Sequence, residues 1–133
     1  MTRMPWKHLI LFALASLCLA YPATLALFTV YAVTGSSMAY SLSLLVNPAV
    51  FFVFALWYFR ESGASSEWAS LAASAAVWAG IAFLVSVALY VPAYARPISE
   101  QFAPGVLLGH FVDFGAILLA GFISRPRAAA PPL

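Results

Sequence analysis

An aspartate and a histidine lie three residues apart inside a long apolar stretch near the end of the chain. Asp113 is the only formally charged residue between Glu100 and Arg125, and His110 precedes it. On a helix this spacing places both side chains on one face. A carboxyl group and an imidazole can exchange and relay protons within a membrane. The pair is therefore the first candidate site of the protein.

Residues whose side chains can form hydrogen bonds also occur in the other three apolar stretches. Counting about 1.5 Å of rise per residue from the expected helix ends places Asp113 and Asn47 about 12–14 Å deep. On the same scale His110 lies at about 9 Å, Tyr21 at about 16 Å, and Trp78 at about 15 Å from the opposite end. These depths predict a shared polar pocket in the outer half of the bundle.

A structural interpretation of the same residues stays open. An Asp at the centre of a membrane helix costs about 2.5–3.5 kcal/mol, so it is expected to face other helices or water. Desolvation favours the neutral acid, whereas a cationic His110 would favour the carboxylate. Asp113 would then hold the bundle together by pairing with His110, Asn47 or Trp78.

No motif for catalysis or metal binding occurs in the chain. His110 and Asp113 supply two ligands from one helix, fewer than a metal site needs. His8 and His110 are expected near opposite membrane faces, which argues against a bis-histidine haem. There is no Gly-rich phosphate loop, no H-E-x-x-H and no G-x-S-x-G sequence. We therefore expect a protein without cofactor or metal, and no enzymatic activity is indicated.

The composition predicts a membrane protein. Of 133 residues, 65% are apolar and 8% are charged, against about 45–50% and about 25% in soluble proteins. A soluble fold of this size buries too little surface to hide so many apolar side chains. The net charge of +2 and the absence of a basic stripe give no indication of nucleic-acid binding.

The apolar stretches predict four transmembrane helices, since each crossing needs about 20 residues. We place them at about 8–32, 38–59, 68–91 and 104–124. The first break is the cluster Gly35-Ser36-Ser37, which is typical of a turn. The expected fold is an all-α integral membrane four-helix bundle, formed by one domain over about residues 1–127. Residues 128–133 are expected to be a disordered tail.

The positive charges predict the orientation, because cytoplasmic loops are enriched in Lys and Arg. Only Arg96 falls on the side that we expect to be external. Both termini are then cytoplasmic in a multi-pass protein of the cell membrane, the inner membrane where there are two. The other five of the six Lys and Arg residues fall on the opposite side: Arg3, Lys7, Arg60, Arg125 and Arg127.

The first span has a second interpretation as a signal peptide. Arg3 and Lys7 precede an apolar run, and Cys18-Leu19-Ala20 resembles a weak cleavage site. The apolar run continues to Val33, however, which is too long for the core of a signal peptide. We therefore expect an uncleaved transmembrane helix.

Small residues predict how the helices pack, because they let membrane helices approach closely. In the third span, small residues recur every fourth position, and the fourth span contains a Gly-x-x-x-Gly pattern. We expect a tight contact between these two helices, or alternatively between two copies of the protein. The residues concerned are Ala72, Ala76, Gly80, Gly105 and Gly109.

The sequence is compatible with two functions of different classes. Small size, short loops and the lack of catalytic motifs favour a non-catalytic accessory or interaction subunit. Its partners would be the lipid bilayer and a larger membrane protein or a second copy. The alternative is a small proton-coupled carrier, in which Asp113 exchanges protons, His110 relays them, and Pro22 and Pro48 provide kinks.

The orientation is directly testable. A reporter fused after Arg127 is expected to read as cytoplasmic, whereas one inserted near Pro97 is expected to read as external. Paired cytoplasmic and periplasmic reporters at both positions give the measurement. Activity of the Arg127 fusion outside the cytoplasm would contradict the orientation inferred from Lys and Arg.

Overall fold

The protein is a bundle of four long α-helices, according to a computed structural model that describes residues 6–93 and 97–125. The helices are α1 (Trp6–Thr34), α2 (Ser37–Ser62), α3 (Trp68–Ala93) and α4 (Pro104–Ile123), with a short 3-10 helix at Ile98–Phe102 before α4. All four are long and apolar enough to cross a membrane. The predicted all-α, four-helix membrane fold is therefore confirmed.

Some sequence predictions concern residues outside the described part. They are the charges at Arg3, Arg96 and Arg127 and the expected disordered tail at 128–133. The direction in which the bundle faces across the membrane stays a prediction.

Glycines and capping groups set the helix boundaries. Gly35 separates α1 from α2 and Gly63 follows α2, and both have left-handed backbone angles, with φ of 70° and 66°. Glycine adopts this conformation without steric cost. At the start of α2, the Ser36 hydroxyl accepts a hydrogen bond of 3.3 Å from the Ala39 N–H. Pro104 begins α4, where its missing N–H leaves no helical bond unmade.

The helices form a ring in the order α1, α2, α4, α3. The packing of α1 against α2 is the most extensive, followed by that of α2 against α4. Sparser contacts of α3 with α4 and with α1 complete the ring. Because successive spans run in opposite directions, α1 is parallel to α3 and α2 is parallel to α4. The backbone of α3 therefore lies farther from its neighbours than those of the other helices, although its residues Leu71, Ala75, Trp78 and Ala82 belong to the core.

At one end of the bundle, α4 approaches its neighbours very closely. A Cβ atom added to Gly121 would lie 2.0 Å from Leu71 Cδ1 of α3 and 3.0 Å from Phe59 Cε2 of α2. Leu71 and Phe59 are both buried. At the same end, the Arg125 guanidinium lies 3.9 Å from the centre of the Trp68 ring. The three helices are therefore held tightly together where α2 and α4 end and α3 begins.

Gly80, Gly105 and Gly109 do not bring α3 and α4 close together, and the alternative contact between two copies of the protein stays a prediction. Added Cβ atoms at Gly80, Gly105 and Gly109 would meet no neighbouring atom within 4 Å. With about 100° of rotation per residue, Gly105 and Gly109 lie about half a turn around α4 from Leu107, which faces α3. The glycine that permits close approach is Gly121. All five predicted packing residues are exposed, namely Ala72, Ala76, Gly80, Gly105 and Gly109.

The contrast between the glycines of α4 gives a prediction about stability. Gly121→Ala is expected to lower the free energy of unfolding by about 1–3 kcal/mol, because the methyl group overpacks a buried contact. Gly109→Ala is the matched control, and it is expected to leave stability unchanged or raise it by up to about 1 kcal/mol through helix propensity. Thermal unfolding of both variants in the same detergent provides the comparison. Equal unfolding temperatures would contradict the close approach at Gly121.

Candidate functional site

Asp113 lies on the inward face of α4, as its cost in a membrane requires. Its side chain is 6% exposed, and Ile117 and Ala120 on the same face are fully buried. Within residues 6–93 and 97–125, nothing is hydrogen-bonded or ion-paired to its carboxyl group. Asp113 is therefore a buried carboxyl group surrounded by the bundle but not used to join its helices.

Two of the other predicted site residues join helices by hydrogen bonds. The Tyr21 hydroxyl of α1 donates to the Ala82 carbonyl of α3 at 2.8 Å, and it is also hydrogen-bonded to the Ser86 hydroxyl. The Thr24 hydroxyl of α1 donates to Asn47 Oδ1 of α2 at 3.0 Å. Tyr21 therefore connects α1 to α3, and Asn47 connects α1 to α2.

Trp78 is a buried aromatic residue with an unused donor. It is fully buried, and its indole N–H has no hydrogen-bond partner in the part of the chain that the structure describes. Its ring meets the ring of Tyr58 edge-on, with 6.0 Å between centroids. In the described residues, no hydrogen bond connects Trp78, Asp113, Asn47, Tyr21 or His110 to another of these five.

His110 lies in an open groove between α3 and α4. Its ring meets Phe83 edge-on, at 5.2 Å between centroids. It is half-buried, and its nitrogens make no hydrogen bond to any described residue. The groove has a volume of about 340 Å³, and we call it the α3–α4 groove. It is lined by Ala76, Ala79, Gly80, Phe83, Leu107, His110, Phe111 and Phe114.

The groove forms because α3 and α4 are close at one end and separated at the other. The helices are joined where α3 begins by the close contact at Gly121. At the same place the Trp68 ring stacks on the Phe122 ring, with 6.1 Å between centroids. Farther along, the rings of Phe83 and His110 meet edge-on across the interface, and Leu107 also lines the groove. Large side chains in these positions keep the two backbones apart.

A second cavity lies between the start of α1 and the end of α2, with a volume of about 150 Å³. It is lined by His8, Phe12, Tyr58, Glu61 and Ser62. Sequence reasoning did not predict this cavity. The spacing of Trp57 and Glu61, one helical turn apart, is the signal that was available. The Trp57 indole N–H donates to Glu61 Oε1 at 2.5 Å.

The donor set of the described residues does not suit a metal ion. No group of three or more His, Cys, Asp or Glu side chains occurs together in residues 6–93 and 97–125. No known protein family, curated protein or solved structure matches the chain. Its function is therefore inferred from its own residues.

The polar residues differ in what their removal should do to stability. Tyr21→Phe is expected to lower the free energy of unfolding by about 0.5–1.5 kcal/mol, because it deletes the hydrogen bonds to α3 and keeps the ring. Asp113→Asn is expected to cause no such loss, since the carboxyl group joins no helices. Unfolding in detergent, followed by circular dichroism, compares the two variants. A loss in Asp113→Asn as large as that in Tyr21→Phe would assign the carboxyl group a structural role.

Proposed function

We propose that the protein is a non-catalytic interaction subunit of a complex in the cell membrane. It receives a transmembrane helix of a partner protein in the α3–α4 groove. The observation that carries the proposal is His110, a polar side chain at membrane depth in a groove that is otherwise lined by apolar residues. Lipid tails offer no hydrogen bond, so an imidazole in this position favours a partner that supplies one.

The shape of the groove suits a helix. Its α3 wall runs from Ala76 to Phe83 and its α4 wall from Leu107 to Phe114, which corresponds to about two helical turns, or about 10 Å. Ala76 and Gly80 at the α3 edge are small and exposed. Small residues allow the backbone of another membrane helix to come close.

The chemistry of His110 limits which side chain the partner helix can place opposite it. An imidazole can donate or accept one hydrogen bond at each nitrogen. A Ser, Thr, Asn or Gln side chain on the incoming helix would meet this need, as such residues do between membrane helices. The partner helix is therefore apolar, with one hydroxyl or amide side chain opposite His110.

A proton-coupled carrier is the second candidate, and Asp113 is the observation that favours it. A buried carboxyl group without a partner is suited to taking up and releasing a proton. Neither the α3–α4 groove nor the cavity between α1 and α2 is lined by Asp113. A carrier needs a path for its substrate, so the interaction subunit is the better supported function.

Site-specific photocrosslinking tests the groove. A photoreactive phenylalanine derivative is placed in living cells at Phe111, which lines the groove and is 70% exposed, or at Leu119, which lies outside it and is 52% exposed. Crosslinks to one membrane protein are expected from position 111 and not from position 119. Gly80→Leu is expected to abolish them by filling the groove. His110→Leu is expected to weaken them about threefold, since a hydrogen bond between membrane helices contributes about 0.6 kcal/mol.

Gly109→Leu is the matched control for Gly80→Leu, because both glycines are exposed and have free space around them. Crosslinking should survive the Gly109 substitution. Loss of crosslinking in Gly109→Leu alone would show that the partner binds the face of α4 that carries Gly105 and Gly109. If the purified protein by itself carries out proton-driven transport, and Asp113→Asn abolishes it, the protein is a carrier and not an interaction subunit.

A further inference from the structure

The cavity between α1 and α2 opens at the level of the lipid headgroups. Helix α1 has 29 residues, and this corresponds to about 43 Å, close to the thickness of a bilayer with its headgroups. His8 is in the first turn of α1, and Glu61 is in the last turn of α2. Both are exposed at the mouth of the cavity, whereas Phe12 and Tyr58 lie deeper and are more buried.

The negative charge at the mouth is held in place but not neutralised. The Trp57 indole N–H binds Glu61 Oε1, so the second carboxylate oxygen stays available. Glu61 forms no ion pair with any residue in the described part of the chain. Trp57 is fixed in turn by an edge-on contact with Phe12, with 5.1 Å between ring centroids. The carboxylate is therefore oriented before a ligand arrives.

Behind the carboxylate, the cavity offers aromatic rings and hydroxyl oxygens. The rings of Phe12 and Tyr58 lie 5.7 Å apart between centroids. Aromatic faces attract organic cations, and an ammonium group brings three N–H donors and no acceptor.

We propose that this cavity binds an organic ammonium group. The Glu61 carboxylate accepts one N–H, the Ser62 hydroxyl accepts another, and the Phe12 ring provides a cation–π contact. An anion would face the carboxylate and is disfavoured. The ammonium group comes either from an ethanolamine headgroup of a surrounding lipid or from a free amine in the aqueous phase. The site lies on α1 and α2 and is independent of the α3–α4 groove.

The chain supplies a matched pair of variants for the test. Glu61→Gln and Glu67→Gln each remove one exposed carboxylate near the same end of the bundle, but only Glu61 lines the cavity. Purified protein is titrated calorimetrically with ethanolammonium chloride, with sodium chloride of equal concentration as the salt control. Separately, delipidated protein is mixed with equal amounts of phosphatidylethanolamine and phosphatidylglycerol, and retained lipid is measured by native mass spectrometry.

Wild-type protein and Glu67→Gln are expected to bind the ammonium group alike, and Glu61→Gln about tenfold more weakly, because it loses a charge-assisted hydrogen bond. Calorimetric binding without retention of phosphatidylethanolamine assigns the site to free amines. Retention of phosphatidylethanolamine without calorimetric binding assigns it to the lipid headgroup. If Glu61→Gln matches wild type in both measurements, or if both variants lose binding equally, the ammonium site is overturned.

Discussion

The absence of a side chain at Gly121 allows α4 to lie against Leu71 of α3 and Phe59 of α2 at one end of the bundle. Farther along the α3–α4 interface, Phe83 and Leu107 line the open groove. Because both contacts belong to the same pair of helices, close packing at one end and an open groove at the other arise together. Because His110 lies eleven residues, or about three turns, before Gly121, both are on the side of α4 that faces α3, and His110 lies at the open end of that interface.

The bundle also shows how polar groups are accommodated where water is absent. A polar group in hydrocarbon needs a hydrogen bond from another part of the protein. Tyr21 and Asn47 meet this need across helix pairs, through Ala82 and Thr24. Asp113 makes no such bond to the described residues. Tyr21 and Asn47 therefore hold α1 to its neighbours, whereas the Asp113 carboxyl group, like the Trp78 indole N–H, joins no helices through the described residues.

The sequence predicts the elements better than it predicts their faces. Apolar length and the turn at Gly35 define the spans, because bilayer thickness and glycine geometry act locally. Which side of α4 meets α3 depends on the combined packing of all four helices. A pattern such as Gly105-x-x-x-Gly109 can therefore occur on a side of the helix that faces lipid. Depth along a helix can likewise be counted from sequence, but rotation cannot. Depth alone predicts Asp113 and Asn47 in one layer. Because their rotation is not predicted, a shared layer does not bring their side chains together, and no hydrogen bond joins them.

Helix α3 combines two properties that matter for association. Its backbone lies farther from the neighbouring helices than those of the other helices do, and its residues Ala76 and Gly80 are small and exposed. In the proposed complex, a partner helix would gain close packing there and a hydrogen bond from His110 on the facing wall, so both contributions to affinity would act on one surface. The cavity at Glu61 lies on α1 and α2, so the proposed ammonium site and the proposed docking surface use different helices.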